Sequence, residues 1–148
     1  MNESSFSGAG GLHISTHSWH PAAGTPRAIV IIVPGFKSHS GYYEWVADQL
    51  LTGGLAAYAI DLRGRGKSEG ERFYVQSFED YVTDVASFVS IIKEKEKDLP
   101  VFLLGHSAKG FNLLFHCQFQ ASEVRRQNVP SAVTKLVMQI SQPNPTPS

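Results

Sequence analysis

Short apolar runs recur along the chain and divide it into segments of similar length. Four of them are 28–34, 55–61, 101–105 and, less clearly, 131–141, which read AIVIIVP, LAAYAID, VFLLG and SAVTKLVMQIS. Unbroken runs of this length, rich in β-branched or small residues, are typical of strands buried on both faces of a sheet. A weaker alternation over 12–21 predicts an additional edge strand.

Helical periodicity occupies the segments between these runs. From Tyr43 onward the apolar positions fall on one face of a helix. A second helix is predicted to be capped by Ser77 and to end in the charged run 93–97, which should be solvated. A third is predicted over about 109–120. Strands that alternate with helices predict an α/β fold, with a mostly parallel sheet and helices on both faces.

The two ends of the chain differ in composition from its middle. Residues 1–10 are polar and glycine-rich, which predicts a disordered N-terminus, and residues 142–148 form a proline-rich tail. Residues 11–141 are predicted to form the core. The chain has 148 residues, of which 42% are hydrophobic, and this is enough for one domain with a buried core.

Charge and cysteine content exclude several classes of partner and location. Lysine plus arginine equals aspartate plus glutamate, at 13 each, so we expect no nucleic-acid partner. No apolar run approaches the roughly 18 residues that a transmembrane segment needs, and the first residues lack the pattern of a signal peptide. The single cysteine, Cys117, excludes an internal disulfide and is predicted to pack in a helix. These features predict a cytoplasmic protein.

Three polar loops follow the buried strands. They are 35–41, 61–70 and 105–110. Because function gathers at the carboxyl ends of parallel strands, we expect the site there. The third loop places Ser107 on a strand-to-helix turn, where a serine can act as a nucleophile. The amides of Ala108 and, from the first loop, Phe36 are the predicted oxyanion donors.

The second loop carries a competing phosphate-binding pattern. Gly66-Lys67-Ser68 copies the end of a P-loop, but the full motif needs a glycine where this chain has Asp61, and a helix that begins at the lysine. We therefore predict a tight glycine-rich turn, tied by hydrogen bonds of Asp61 and the neighbouring arginines.

Three segments together resemble the α/β-hydrolases of the monoacylglycerol lipase and lysophospholipase group, also called serine aminopeptidase-like. VPGFKSHSGYYEWVADQL resembles the family's H-G-x-x-x-H-S-x-x-Y oxyanion segment. AIDLRGRGKSEG resembles its D-x-R-G-x-G-x-S-x-G segment, and LLGHSAKG resembles its G-H-S-x-G-G elbow. The match spans about residues 28–120 and covers only the first half of a typical member. The resemblance implies a truncated α/β-hydrolase fold, hydrolysis of a carboxylic ester of a small lipid-like substrate, and no cofactor or metal.

Two positions depart from the family pattern. Pro34 stands where the family commonly has histidine, which leaves the Phe36 amide in place. Lys109 occupies the second small position of the elbow, where a side chain lies close to neighbouring backbone. We expect that lysine to cost roughly 1–3 kcal/mol and to displace Ser107 or its oxyanion pocket.

The family's acid and histidine have no clear counterpart after Ser107. His116 lies nine residues along the same predicted helix, roughly 13 Å away along the axis, and the acid that follows is Glu123. His106 should point away across the turn, and His39 is the alternative base. We therefore expect impaired hydrolysis, or alternatively an inactive remnant or interaction module. Missing strands would also expose a sheet edge through which copies could self-associate.

Three further histidines lie in the N-terminal region. His13, His17 and His20 have no metal-like partners in the sequence, and we predict that they lie on the surface.

Overall fold

The computed structural model describes residues 1–106. Two helices and five strands make up this part of the chain. The elements are β1 (Asn2–Ser7), β2 (His13–Trp19), β3 (Ile29–Val33), α1 (Glu44–Thr52), β4 (Ala56–Ile60), α2 (Phe78–Lys95) and β5 (Val101–Gly105), with short 3₁₀ turns at Ala9–Gly11 and Ser40–Tyr43. The helix predicted over 109–120, the strand predicted over 131–141 and the tail lie outside the described residues.

The five strands form one sheet in the order β1-β2-β4-β3-β5. β3 pairs in parallel with both β4 and β5, whereas β2 runs antiparallel to β4 and to β1. The described sheet is therefore mixed. Strands β4, β3 and β5 are parallel, as predicted, and the N-terminal hairpin of β1 and β2 adds two antiparallel pairings.

Alternate residues of the central strands enter two separate cores. Ile29 and Ile31 of β3 pack with Val85 and its neighbours on α2, while Val30 and Ile32 pack with Ala47 of α1. Because successive strand side chains point to opposite faces, the two helices cover opposite faces of the sheet. The predicted α/β fold with helices on both faces is confirmed.

The N-terminus differs from the predicted disordered segment 1–10. Asn2–Ser7 form the edge strand β1, and each of its six residues is paired with a residue of β2. Phe6 anchors the strand by stacking on Phe88 of α2, with ring centroids 5.9 Å apart. Consequently β2, predicted as an edge, lies between β1 and β4. Backbone pairing and one aromatic contact order a segment whose composition is otherwise polar.

Helix α2 begins as the sequence predicts. The Ser77 hydroxyl oxygen accepts a hydrogen bond from the Glu79 amide at 3.2 Å, which satisfies one of the unpaired donors of the first turn. Glu79 and Asp80 lie in that turn, where negative charge is favoured by the helix dipole. Neither helix within residues 1–106 is long and apolar enough to cross a membrane.

A buried ion pair joins α2 to the second loop and to the N-terminal hairpin. The Asp84 carboxylate is fully buried and accepts hydrogen bonds from Arg63 Nε at 2.7 Å and Arg63 Nη2 at 2.9 Å. The same carboxylate accepts from the Ala9 amide at 2.8 Å, and Arg63 also donates to the Ala9 carbonyl at 2.9 Å. One bidentate pair therefore fixes three segments that are far apart in sequence.

Candidate active site

Two of the predicted site loops leave the sheet side by side. β3 and β5 are parallel neighbours, with Val33 paired to Gly105 at their carboxyl ends. The His106 amide extends this pairing by donating to the Val33 carbonyl at 3.1 Å. The loop that begins at Pro34 and the chain that continues into Ser107 therefore start from adjacent positions. Ser107, Ala108 and Lys109 themselves lie outside the described residues.

Phe36, the predicted first oxyanion donor, lies in an ordered turn directly after β3. The turn is closed by Ser38, whose amide and hydroxyl both donate to the Gly35 carbonyl, at 3.0 and 3.2 Å. The Phe36 ring packs against Tyr81 of α2 at 5.0 Å between centroids. Its carbonyl accepts a hydrogen bond from Arg65 Nε of the second loop. Both neighbouring elements therefore hold the backbone of this turn.

His106 is held by a side chain from the start of α1. The Tyr43 hydroxyl lies 2.9 Å from His106 Nδ1 and 3.2 Å from the Ser38 hydroxyl, and the Tyr43 and His106 rings meet edge to face. This arrangement links the residue before Ser107 to the turn that contains Phe36. It engages one ring nitrogen of His106. Sequence analysis did not single out Tyr43 for this role.

The second loop is organised around the buried carboxylate of Asp61. Its Oδ1 accepts from the Ser40 amide at 2.7 Å and its Oδ2 from the Lys67 amide at 2.9 Å, while its carbonyl accepts from Ser68 Oγ at 2.6 Å. Gly66 has φ +49°, and a Cβ there would lie 2.1 Å from Asp61 Oδ2. The predicted glycine-rich turn is confirmed. No helix begins at Lys67, so the loop lacks the cradle that a P-loop requires.

A serine, a histidine and an acid also meet outside the predicted site. His17 Nδ1 lies 2.5 Å from Ser40 Oγ, and His17 Nε2 lies 3.3 Å from Glu3 Oε1. Lys67 Nζ pairs with the same Glu3 oxygen, and this contact, followed by that of His17, lowers the pKa of Glu3. Ser40 is fully buried, so it cannot meet a substrate. The three residues instead link β1, β2 and the first loop.

The surface location predicted for His17 is therefore wrong. The residue is 5% exposed, and its ring is contacted by Glu3 of β1, Ser40 of the first loop and Trp19. β1 was not foreseen from the sequence. His13 is exposed, as predicted. His20 is also exposed, as predicted, and its Nε2 lies 3.0 Å from the Tyr58 hydroxyl.

His39, the alternative base, faces a polar cavity. Its Nδ1 accepts from the Gly41 amide at 3.2 Å, and its ring packs on Tyr42 at 4.4 Å between centroids. The cavity has a volume of about 400 Å³ and is lined by His39 together with His17, Asp61 and others. Within residues 1–106, no group of histidine, cysteine and acidic residues is arranged to hold a metal ion.

Comparison with known proteins identifies the family. Residues 24–139 match the family model described as serine aminopeptidase, S33. The chain belongs to the serine aminopeptidase S33 family. This membership confirms the resemblance drawn from the three sequence segments, because the match contains all of them.

Two lipases are similar to this chain in sequence. A monoacylglycerol lipase from Mycolicibacterium smegmatis is 37% identical over 109 residues, which cover 74% of this chain and 39% of that protein. The human monoglyceride lipase is 41% identical over 102 residues, which cover 69% of this chain and 33% of that protein. The chain therefore spans less than two fifths of the length of either relative.

Solved structures agree with this fold. A variant of monoglyceride lipase from Saccharomyces cerevisiae, in complex with a substrate analogue, aligns with a TM-score of 0.58 at 24% identity, covering 66% of this chain and 33% of that one. A thermostable carboxyl esterase from Bacillus coagulans aligns with a TM-score of 0.64 at 21% identity, covering 97% of this chain and 59% of that one. At these identities the similarity shows the α/β-hydrolase fold.

Proposed function

We propose that the chain supplies the nucleophile and the oxyanion site of a serine hydrolase that acts on carboxylic esters of lipid-like substrates. The observation that carries this proposal is the parallel pairing of Val33 with Gly105, because it starts the Phe36 loop and the Ser107 turn from neighbouring positions. Of the two predicted substrates, a monoacylglycerol or a lysophospholipid, the names of the similar lipases support the monoacylglycerol.

In the proposed reaction Ser107 Oγ attacks the acyl carbon of the ester. The carbonyl oxygen becomes an oxyanion, which accepts hydrogen bonds from the Phe36 and Ala108 amides. Collapse of this intermediate expels the alcohol and leaves the acyl group on Ser107, from which water releases the fatty acid. A base must take the serine proton in the first step, and it returns that proton to the departing alcohol. The reaction needs no metal or cofactor.

Residues 1–148 contain no clear candidate for the base of this reaction. His116 and Glu123 do not fit the family's order and spacing after Ser107, and His39 Nδ1 accepts a hydrogen bond from the Gly41 amide. In the serine protease subtilisin, removing the histidine of the complete triad lowers kcat by roughly 10⁶-fold. We therefore propose that a chain of these 148 residues hydrolyses esters slowly. Separately, we propose that it acts in the cytoplasm.

Labelling with a fluorophosphonate probe tests the nucleophile directly. The folded chain is incubated with the probe, digested, and the modified peptide is identified by mass spectrometry. We expect the adduct on Ser107 and its loss in Ser107→Ala. Ser40→Ala is the matched control, since Ser40 is hydrogen-bonded to His17, and this variant should label like the parent.

Circular dichroism on the same samples establishes that each variant is folded. A folded chain that shows no adduct at Ser107 would reject the hydrolase proposal and favour the alternative of an inactive remnant or an interaction module. An adduct on Ser40 would reject the assignment of the nucleophile.

A further inference from the structure

Arg65 is a buried cation without a carboxylate partner among residues 1–106. Its residue is only 7% exposed, yet no ion pair in this part of the chain includes it. Buried guanidinium groups are usually paired with acids, because desolvating an uncompensated charge is costly. Arg63, two residues earlier, follows that rule and pairs with Asp84 and Asp80. The position of Arg65 therefore calls for a different explanation.

The guanidinium of Arg65 is clamped between the first and second loops. Its Nε donates a hydrogen bond to the Phe36 carbonyl, and its Nη1 donates to the Gly64 carbonyl at 3.1 Å. Its central carbon lies 4.6 Å from the centre of the Phe73 ring and 5.9 Å from that of Phe36. The charge is thus held by carbonyl oxygens and aromatic faces, which attract a cation.

Phe73 takes an unusual backbone conformation to make this contact. Its φ is +61°, and it is the single residue other than glycine with a positive φ among those described. A bulky side chain is rare in the left-handed region, so the surrounding structure must hold it there. The ring that results covers the outer face of Arg65. The strained backbone of Phe73 has a structural reason if its ring serves to hold Arg65 against the first loop.

We propose that Arg65 is a positioning residue, which fixes the turn carrying the Phe36 amide for the oxyanion. This inference rests on the proposed function. The Phe36 carbonyl is bonded to Arg65, and the preceding Gly35 carbonyl is bonded to Ser38, so the peptides on both sides of the residue have fixed orientations. The Phe36 N–H lies in the first of these peptides, opposite the Gly35 carbonyl, so the Ser38 bond sets its direction while the Arg65 bond holds the following peptide in place. Oxyanion donors act through such prior orientation, because they then need no rearrangement in the transition state.

The test compares two arginines of the same loop. Arg65→Met keeps the length and apolar stem of the side chain but removes both donors and charge. Arg72→Met is the matched control. Arg72 is exposed and also donates to a loop carbonyl, that of Gly66 at 2.9 Å, but among residues 1–106 it makes no hydrogen bond to the first loop. Arg65→Lys, which retains a charged donor but not the planar fork, should give an intermediate result.

Two readouts are measured on the full chain. The first is hydrogen exchange of the amides in segment 34–39, which Arg65→Met should accelerate by at least about tenfold while Arg72→Met leaves it unchanged. The second is the kinetics of Ser107 phosphonylation. The maximal rate should fall by about 10- to 100-fold in Arg65→Met, with half-saturating probe concentration unchanged within about twofold.

The outcomes separate the two proposals. Unchanged loop exchange in Arg65→Met, or equal acceleration in Arg72→Met, overturns the positioning role. Faster exchange with an unchanged phosphonylation rate shows that the clamp does not serve the oxyanion. If the parent chain is not labelled at Ser107, the proposed function fails, and with it a catalytic purpose for Arg65, whatever the exchange shows. If Arg65→Met does not fold, Arg65→Lys is judged by the same two readouts.

Discussion

Removing the carboxylate of Asp84 should remove a large part of the free energy of unfolding. Asp84 is fully buried, and it accepts three hydrogen bonds, two from Arg63 and one from the Ala9 amide. The same pair raises the pKa of the Arg63 guanidinium above its ordinary value, chiefly through these hydrogen bonds. Asp84→Ala would leave a buried cation and a buried amide without their main acceptor.

The expected cost follows from that geometry. Breaking a buried pair by removing one partner costs about 3–5 kcal/mol, and Asp80, 3.3 Å from Arg63 on the more exposed side, compensates only partly. In urea, with an m-value of about 2 kcal/mol/M, the unfolding midpoint should fall by about 1.5–2.5 M. Stability of a domain is only about 5–15 kcal/mol, so the variant should be markedly less stable at room temperature.

Asp80→Ala is the matched control for this measurement. Its carboxylate pairs with the same arginine but is 36% exposed, so its loss should cost no more than about 1 kcal/mol. Urea unfolding is followed by far-ultraviolet circular dichroism and by the fluorescence of Trp19 and Trp45. A loss below about 1 kcal/mol in Asp84→Ala, or equal losses in the two variants, would refute the view that the buried pair joins three segments.

Two other perturbations separate local strain and burial from the rest of the fold. Gly66→Ala should lower the free energy of unfolding by more than the roughly 1–2 kcal/mol that a left-handed backbone costs, because the new Cβ would meet Asp61. Gly24→Ala is the control, since Gly24 has φ +80° and open space around it and should show the backbone cost alone. Equal urea midpoints for the two variants would contradict this prediction. Burial, followed by the hydrogen bond to Glu96, raises the pKa of Tyr58 above its ordinary value of 10.0, so the stability due to the neutral phenol is complete below pH 10.0 and is lost as pH rises further. Tyr58→Phe should flatten that alkaline fall in the urea midpoint, and a fall as steep as in the parent would show that Tyr58 is not its cause.

The regular elements of the fold could be predicted because local sequence carries their signals. β3, β4 and β5 are unbroken apolar runs, and α2 begins at a serine cap followed by two acids. A strand buried on both faces and a capped helix are recognisable from the residues that form them. The glycine-rich turn around Asp61 was also predicted, because Asp61 stands where a P-loop requires glycine. The Ser107 turn was predicted from the same kind of local pattern, and its geometry lies outside the described residues.

The sequence by itself thus predicted β2 to β5, α1 and α2 among the described elements, and the loops proposed to carry the chemistry. Only the tertiary structure decided that β1 completes the sheet, that His17 is buried and that Arg65 clamps the first loop. Each of these depends on contacts between distant residues, such as the bond from the Ala9 amide to Asp84 across 75 positions. A polar residue becomes buried and joins two segments only when another part of the chain packs against it. The local pattern of apolar and polar residues does not indicate which segment that will be.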